Sequence, residues 1–414
     1  MNITDVGHMV DDADSGEDKM LLAAKKQNKD PWQIAAFYTE AFFKDIHKLN
    51  IQPATHYPKA TEHVGEMIES VKTLIDKGYA YIAKDNCIYF EIDKFPNYGK
   101  LSGKNLEDLV AGSRIEINEN KKNPLDFAVW ILKDGHIMKW DSPWGVGYPG
   151  WHIECSAMSR KYLGDTIDIH TGGEDNIFPH HDCEIAQSEA VTGKKFANFW
   201  LHARHLRVEN QKMSKSLGNF YTVDDLINKG YSAEAIRYVL MSSNYRQRFN
   251  FTFQALDNAM ERLNYFNSTI SELLEINDAN SLTSTKIDDV LIKTLNDDFT
   301  KAMDNDLNVS GAFGALSNFA RAINLHLQRN EINKASALTL IAEFERINKV
   351  LGFLKFSKKV QEELPANLME LINKRLDAKK NKDFALADKF RDELLANGIE
   401  IKDTAGGSTW KKKQ

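Results

Sequence analysis

The chain has 414 residues, 42% of them hydrophobic, and a formal net charge of −6. This length and composition indicate a globular protein of two to four domains, and the acidic balance argues against nonspecific nucleic-acid binding as its main role. No apolar run is long enough to cross a bilayer, and the first twelve residues lack the charged and apolar regions of a secretory signal. Three irregularly spaced cysteines favour a reducing compartment, so we expect a cytoplasmic protein.

The N-terminal third predicts two helices and a hairpin. The opening "MNITDV" is typical of the end of a strand that enters a loop. Asp30 is a good N-cap and Pro31 a good first-turn residue for a long helix in "DPWQIAAFYTEAFFKDIHKLNI". A second helix is predicted over Thr61–Gly78, and "AYIAKDNCIYFEI" predicts a β-hairpin that turns at Asp85–Asn86.

The middle of the chain predicts a parallel α/β sheet. The runs "DTIDIHTGG" and "FANFWLHARHLRV" resemble strands, and they alternate with helices predicted after Trp151 and His180. Beyond Ser232 we expect only helices, up to about Phe356. The segment "SKKVQEELPAN" then resembles a linker, and a small charge-rich module closes the chain.

The segment "KMSKSLGN" contains two lysines, Lys212 and Lys215, three residues apart. Flexible cations at this spacing can bind the phosphates of a nucleotide. The alternative is a solvated basic loop, which composition alone favours because short motifs often match by chance.

The segment "HTGGED" follows a predicted strand, and open α/β sheets bind ligands at the carboxyl ends of their strands. Gly172 and Gly173 let a ligand approach the backbone closely, and Asp175 can accept hydrogen bonds from ribose hydroxyls. The alternative is an ordinary glycine turn.

The segment "FPHHDCE" offers metal ligands, as does Cys155 in "GWHIECSAMS". At about 100° per residue, His180 and Glu184 lie about 40° apart on a helix, and Cys183 lies about 60° from His180 on the other side. His181 is expected to point away from that face. Helix geometry therefore pairs His180 with either Glu184 or Cys183. The alternative is a polar first turn, which the helix dipole favours.

The C-terminal module is locally basic, with 11 Lys/Arg against 8 Asp/Glu in residues 365–414. Phe384 lies in sequence near Lys379 and Asp388. An aromatic ring among cations suits stacking on an unpaired base, and the alternative is that Phe384 packs between two helices.

The chain resembles the cysteinyl-tRNA synthetase family of class I aminoacyl-tRNA synthetases over essentially its full length. The segments that carry the resemblance are "NITDV", "YGKLSG", "NPLDFAVWIL", "SPWGVGYPGWHIECSAMS", "DIHTGGEDNIFPHHDCEIAQSEA", "KMSKSLGNF" and "GGSTWKKK". Together they are specific, whereas "KMSKS" alone is common to class I synthetases.

The resemblance implies an α/β fold: an incomplete Rossmann-like catalytic domain of the class I synthetases with a connective insertion, then an α-helical bundle and a small C-terminal anticodon-binding module. The expected parts are residues 1–60, the remainder of the first catalytic half; 61–143, the insertion; 144–231, the second half with the zinc site and the KMSKS loop; 232–356, the bundle; and 365–414, the anticodon module.

The resemblance also implies cysteine--tRNA ligase activity: ATP, used with Mg²⁺, activates L-cysteine to the adenylate, and the cysteine is then transferred to tRNA(Cys). One Zn²⁺ per chain selects the substrate thiolate, because zinc prefers thiolate to a serine hydroxyl and a hydrophobic pocket separates such isosteres poorly. We expect a cytoplasmic monomer with no membrane partner.

Matching positions receive roles by the same resemblance. The zinc ligands are Cys155, His180 and Glu184. The cysteine pocket includes Thr4 and Trp151. ATP binding falls to His170, Gly172, Gly173, Asp175 and Lys215, and the catalytic lysines are Lys212 and Lys215. The anticodon residues are Lys379, Phe384 and Asp388. Thr171 stands where the family usually has a third glycine.

The chain departs from the family at its start, where a strand with the first zinc cysteine and a HIGH-like motif are expected. An incomplete sequence of a normal enzyme is the explanation we favour, and activity of this chain alone is in doubt. The others are a short form with a separate N-terminal partner and a non-catalytic tRNA-binding remnant. A rival activity is the ligase that joins cysteine to an amino sugar in mycothiol synthesis, against which the basic C-terminal module argues.

Overall fold

The computed structural model describes residues 1–6, 29–104, 118–133, 136–277, 287–358, 364–404 and 407–412. The chain divides into two compact units, Met1–Phe356 and Ser357–Gln414. The boundary lies at the start of the predicted linker. The finer division into five parts stays a prediction.

The described residues contain helices of very different length and several short strands. The helices are α1 (Pro31–Lys48), α2 (Val64–Asp76), α3 (Trp151–Leu163), α4 (Asp182–Thr192), α5 (Val223–Asn228), α6 (Ala233–Met241), α7 (Phe253–Glu275), α8 (Ile287–Asp304), α9 (Val309–Gln328), α10 (Lys334–Leu351), α11 (Ala366–Lys380) and α12 (Phe384–Ala396). The strands are β1 (Ala80–Ile82), β2 (Ile88–Phe90), β3 (Phe127–Ile131), β4 (Tyr148–Pro149), β5 (Ile167–Gly173), β6 (Ala197–Ala203), β7 (Leu206–Val208), β8 (Gln211–Lys212), β9 (Phe249–Phe251), β10 (Ile399–Thr404) and β11 (Gly407–Lys412).

Helix α1 begins where its sequence predicts. The Asp30 side chain accepts a hydrogen bond from the Gln33 backbone N–H, and the Gln33 side chain accepts one from the Asp30 N–H. This reciprocal capping box satisfies two backbone donors that a helix start leaves free, and Pro31 adds no further donor. The prediction of α1 is confirmed.

Strands β1 to β4 form an antiparallel sheet in that order. The β1–β2 hairpin turns through Asn86, whose φ of 61° is the left-handed conformation that such turns require. The Asp126 carboxylate ties the sheet to its loops, because it accepts hydrogen bonds from the Ile92 N–H and the Tyr81 hydroxyl. The predicted hairpin is confirmed.

Strands β5 and β6 pair in parallel, with Ile169 opposite Phe199 and Gly173 opposite Ala203. Each strand follows a helix, α3 before β5 and α4 before β6, and these helices pack against each other. The strand–helix alternation in the sequence therefore predicts this parallel pair correctly. Its carboxyl ends, at Gly173 and Ala203, lie side by side.

A second small sheet has the order β8-β7-β9, with β7 antiparallel to β8 and parallel to β9. The expectation of helices alone beyond Ser232 is wrong at β9. Phe249–Phe251 forms a strand because Phe251 is buried against the bundle while its backbone pairs with β7. Three residues are too few for a periodic signal.

Helices α6 to α10 bury one apolar core, to which α7 contributes a stripe that includes Leu256, Leu263, Phe266 and Ile270. Within the second unit, α11 and α12 pack on a smaller core that includes Ile372 and Leu394, and β10 and β11 form a hairpin. Among the described residues, no helix combines the length and apolar character needed to cross a membrane.

The Arg237 guanidinium, which lies on α6, joins the ends of two other helices. From α6 it donates hydrogen bonds to the Leu351 carbonyl at the end of α10 (2.5 Å) and to the Leu49 carbonyl after α1 (2.9 Å). Both carbonyls belong to negative helix ends, where a cation is favourable. Gly352 has a φ of +73°, and a Cβ there would lie 3.0 Å from Arg237 Nε. Arg237 therefore connects the bundle to the segment that carries α1.

We expect Arg237→Met to lower the free energy of unfolding of the Met1–Phe356 unit by about 2 kcal/mol, because partly buried carbonyls at two helix ends lose a charged donor. Arg237→Lys should recover only part of this, since an ammonium group cannot reproduce the guanidinium fork. Urea denaturation followed by circular dichroism measures both. The control is Arg262→Met on the exposed side of α7. An equal loss in the control would contradict the assigned role.

Candidate active site and metal centre

Three predicted zinc ligands lie together. One donor atom from each of Cys155, His180 and Glu184 falls within 4.8 Å of the others, and all three residues are buried. Cys155 lies in α3, His180 in the turn before α4, and Glu184 in the first turn of α4. The packing of α3 on α4 brings the cysteine to the pair, as the resemblance implies. The roles of these residues as ligands stay a prediction.

The local fold before α4 positions His180. Residues Ile177–His181 form a wide helical turn interrupted at Phe178, whose φ of −137° and ψ of 132° are extended. From His180 onward the chain is helical, so His180 and Glu184 lie one turn apart with His180 Nε2 2.9 Å from Glu184 Oε1. The predicted pairing of His180 with Glu184 is observed.

The Glu184 carboxylate is ionised despite its burial. Burial by itself raises the pKa of Glu184, but hydrogen bonds from His170 and His180, together with their charge, outweigh it and hold the pKa well below its usual value. Burial raises the pKa of the Cys155 thiol, and the negative charges of Glu184 and Glu154 raise it further. The cluster therefore combines a neutral thiol with buried negative charge, an environment that favours a cation.

The donor set fits zinc. Thiolate sulfur, imidazole nitrogen and carboxylate oxygen are the three donor types that zinc takes in proteins. The buried Glu184 Oε2 also lacks a hydrogen bond of good geometry, although His170 Nε2 lies 3.2 Å from it. A buried carboxylate oxygen with unused accepting capacity, next to a thiol and an imidazole, suits a metal ligand.

A second histidine orients His180. His152 Nδ1 lies 2.9 Å from His180 Nδ1, so one of the two nitrogens donates to the other. The backbone of His152 is held in turn, because its carbonyl accepts a hydrogen bond from Gln187 Nε2. Such contacts on the far nitrogen fix the ring and tautomer of a histidine ligand. His152 is not among the predicted site residues, although it lies in the same "GWHIEC" segment as Cys155.

A second group of three donors shares Glu184: His170, His181 and Glu184 also lie within 4.8 Å of one another. His181 Nδ1 contacts His202 Nε2 at 2.8 Å, and burial, which the charge of Glu184 only partly offsets, lowers the pKa of His181 to about 3. The expectation that His181 points away from the metal face is therefore wrong. The His181 ring meets His170 of β5 and His202 of β6, and helix spacing alone contains neither contact.

Cys183 does not join the cluster. Its Sγ lies 3.3 Å from the hydroxyl of Tyr98, on another side of α4, and it belongs to neither group of three donors. The alternative pairing of His180 with Cys183 is therefore wrong. The neighbouring Asp182 carboxylate accepts hydrogen bonds from the backbone N–H groups of Leu101 and Ser102, so the "YGKLSG" segment docks on this side of the helix.

An open groove of about 450 Å³ lies at the carboxyl ends of β5 and β6. Thr171, Gly172, Leu201 and Ala203 supply its strand side, and residues that include Tyr245 supply the other. A Cβ on Gly172 would lie 2.6 Å from the His181 ring, so only glycine fits. The groove is where a ligand of an open α/β sheet is expected.

The other predicted ATP residues have different surroundings. The His170 ring engages Glu184, as described above. A Cβ on Gly173 would lie 2.3 Å from Asp175 Oδ1, so the glycine lets that carboxylate fold back on the backbone. Asp175 itself is exposed. Their assignment to ATP stays a prediction.

The predicted cysteine-pocket residues differ in their proximity to the cluster. The Trp151 ring packs on the His180 ring with centroids 4.5 Å apart, so it lies beside the predicted ligands. Thr4 is exposed in the first segment, which runs beside residues 58–60 through the Ile3–Lys59 bridge. In the same segment the Asn2 side chain hydrogen-bonds Cys155.

The "KMSKSLGN" segment closes on itself through Asn219. The Asn219 Oδ1 accepts a hydrogen bond from the Ser214 N–H (2.8 Å), and its Nδ2 donates to the Lys212 carbonyl (3.1 Å). Lys212 ends β8, and Lys215 lies over the Phe220 ring with its Nζ 5.3 Å from the centroid. Asn219 was not predicted as a site residue.

In the second unit, Phe384 begins α12 and is 63% exposed. The alternative that it packs between two helices is therefore wrong. Asp388 lies one turn further along α12, and Lys379 lies in the last turn of α11. The Asp388 carboxylate contacts Arg391 at 3.3 Å.

Two family models match the chain: the tRNA synthetases class I (C) catalytic domain over residues 2–261, and the DALR domain over residues 298–355. Among solved structures, Mycobacterium tuberculosis methionyl-tRNA synthetase in complex with methionyl-adenylate superposes with a TM-score of 0.55 at 15% identity. The match covers 80% of this chain and 79% of that one. The predicted α/β fold of a class I synthetase with a helical C-terminal part is confirmed.

Curated relatives are similar over nearly the whole chain. The "Cysteine--tRNA ligase" of Treponema denticola is 43% identical over 100% of this chain and 87% of its own length. The protein of the same name from Caldicellulosiruptor saccharolyticus is 44% identical over 95% of this chain and 84% of its own. The chain therefore belongs to the cysteine--tRNA ligase family of class I aminoacyl-tRNA synthetases.

Proposed function

We propose that the chain acts as a cysteine--tRNA ligase, which activates L-cysteine with ATP and transfers it to tRNA(Cys). The observation that carries this proposal is the buried Cys155–His180–Glu184 cluster, which lies against Trp151 and near the groove at the strand ends. A soft and selective metal site close to a nucleotide groove suits a cysteine-activating enzyme better than a tRNA-binding protein without chemistry.

Zinc is the metal that we propose, held by Cys155, His180 and Glu184. When bound, it would supply a Lewis acid that ligates the substrate thiolate and so separates cysteine from serine. The chain's own residues prepare the site: His152 fixes the His180 ring, and His170 and His180 keep the Glu184 carboxylate ionised. The Trp151 ring bounds one side of the space beside His180.

In the proposed reaction the cysteine carboxylate attacks the α-phosphate of ATP, and pyrophosphate leaves with the electrons of the broken P–O bond. Lys212 and Lys215 would neutralise the phosphates, and Gly172 would let the nucleotide approach the strand end. Such catalysis consists mostly of positioning and charge stabilisation. A tRNA 3′-terminal hydroxyl then attacks the adenylate carbonyl, and AMP leaves.

For tRNA recognition we propose Phe384 as a stacking platform for an unpaired anticodon base, with Lys379 and Asp388 as its polar neighbours. Its support is the exposure of the ring at the start of α12, since an exposed aromatic beside cations suits single-stranded RNA. We also propose Mg²⁺ as the companion of ATP, a monomer as the working form and the cytoplasm as its location.

The metal proposal predicts that the purified protein contains about one zinc per chain and that Cys155→Ser lowers this by at least about tenfold, because removing a thiolate ligand weakens zinc strongly. Elemental analysis after dialysis measures the content without reference to activity. Cys183→Ser is the matched control, since it changes a buried cysteine of α4 that contacts Tyr98 instead. Equal zinc in wild type and Cys155→Ser would refute the ligand assignment.

The phosphate role predicts that Lys215→Ala slows cysteine-dependent ATP–pyrophosphate exchange by about 100-fold, the usual cost of removing one preorganised charge. Lys195→Ala, an exposed lysine just before β6, should exchange at the wild-type rate. Exchange that serine supports as well as cysteine would count against the proposed specificity. If the protein catalyses exchange with cysteine but never aminoacylates tRNA(Cys), this result would count against the proposed ligase activity.

A further inference from the structure

The hairpin before the "KMSKSLGN" segment places two cations side by side. Arg207 of β7 pairs directly with Lys212 of β8, and both side chains are exposed. Their neighbours Val208 and Leu206 pack on the bundle core, so Arg207 and Lys212 share the opposite, outward face. Side chains directly opposite each other on an antiparallel pair have Cβ atoms about 5 Å apart.

The hairpin is a firm support for this pair. Its two-residue turn, Glu209–Asn210, has φ values of 48° and 63°, the conformation of a tight hairpin turn. Glu209 Oε1 accepts a hydrogen bond from the Phe253 N–H, and the Asn210 N–H donates to Asn250 Oδ1. The turn is therefore tied to the chain that enters α7, and the spacing of the two cations follows from the backbone.

Neither cation of the pair is neutralised. Nearby arginines have acidic partners: Arg204 contacts Glu174, and Arg246 contacts Asp306. By contrast, within the part of the chain that the structure describes, no carboxylate forms an ion pair with Arg207 or Lys212. Like charges directly opposite across two strands repel each other. Two adjacent cations without an acidic partner among the described residues suit a multiply charged anion.

The place of the hairpin identifies the anion. Two residues separate the end of β6 from the start of β7, and Leu201 and Ala203 of β6 line the groove at the strand ends. At no more than about 3.5 Å per residue, Arg207 lies within about 14 Å of Ala203. Lys212 also leads directly into the loop that carries Lys215. Short stretches of chain therefore connect the pair both to the groove and to Lys215, which makes a polyphosphate in the groove the anion to consider.

We propose that Arg207 and Lys212 jointly bind the β- and γ-phosphates of ATP and the pyrophosphate that leaves, so that Arg207 is a further phosphate-binding residue of this chain. The inference rests on the proposed function and extends it. The guanidinium presents two parallel N–H donors to phosphate oxygens, whereas the lysine ammonium acts as a point charge. Binding of the anion removes the repulsion within the pair.

The test is calorimetric titration of the full chain with inorganic pyrophosphate. Arg207→Gln should weaken binding about tenfold, the effect of losing one charged hydrogen-bond donor, and Arg207→Lys should weaken it less. Arg329→Gln is the matched control, because it removes the same charge from an exposed position at the end of α9 and should leave the affinity within about twofold. Circular dichroism confirms that each variant is folded.

Wild-type affinity retained by Arg207→Gln would overturn the proposal, as would absence of pyrophosphate binding by the wild type. An equal loss of pyrophosphate affinity in Arg329→Gln would show that general surface charge, and not the pair, causes the effect, and would also overturn the proposal. A loss of affinity for a tRNA transcript with unchanged pyrophosphate binding would assign the pair to the RNA backbone instead. Cysteine-dependent ATP–pyrophosphate exchange by the wild type is measured in parallel. If the wild type shows no exchange but still binds pyrophosphate through Arg207, only the proposed ligase activity is refuted.

Discussion

The candidate site depends on one buried negative charge, the carboxylate of Glu184. In an apolar interior a carboxylate is costly unless hydrogen bonds or charges compensate it. His180 and His170 supply that compensation, with ring nitrogens 2.9 and 3.2 Å from the two carboxylate oxygens. The strand β5 and the turn before α4 are therefore connected through Glu184. The same charge contacts the His170 ring and adds to the burial that raises the pKa of the Cys155 thiol.

Helix α4 can carry this charge because its other side is fixed by a different part of the chain. The Leu101 and Ser102 N–H groups bind the Asp182 carboxylate, Tyr98 meets Cys183, and Lys100 pairs with Glu189 at 2.7 Å. Of three consecutive residues of the helix, Asp182 and Cys183 thus contact the supporting segment, whereas Glu184 belongs to the candidate metal site. Asp182 and Glu184 can both be buried in this first turn, because the Leu101 and Ser102 N–H groups contact the carboxylate of Asp182 and the rings of His170 and His180 contact that of Glu184.

Much of this site can be predicted from rules about neighbouring residues in the sequence. The wrong predictions concern residues whose positions depend on contacts with distant parts of the chain. The spacing of His180 and Glu184 needs only the helix period, and Asp30 and Pro31 need only the rules for helix starts. The position of Cys183 depends on Tyr98, 85 residues earlier in the chain, which no local pattern reveals. The prediction for His181 was wrong because contacts with His170 of β5 and His202 of β6 place its ring, and helix spacing contains neither. β9 was not predicted because it is a strand through its pairing with β7, and its own three residues show no strand pattern. The prediction of Cys155 as a ligand came from family resemblance, because a single cysteine forms no spacing motif with a second cysteine.

The Asn219 side chain holds the two ends of the "KMSKSLGN" segment together. It accepts a hydrogen bond from the Ser214 N–H and donates one to the Lys212 carbonyl. Two neutral hydrogen bonds contribute about 1–3 kcal/mol, which is close to what a phosphate gains from one lysine. One charged contact with a phosphate is therefore comparable in free energy to the closure that Asn219 provides.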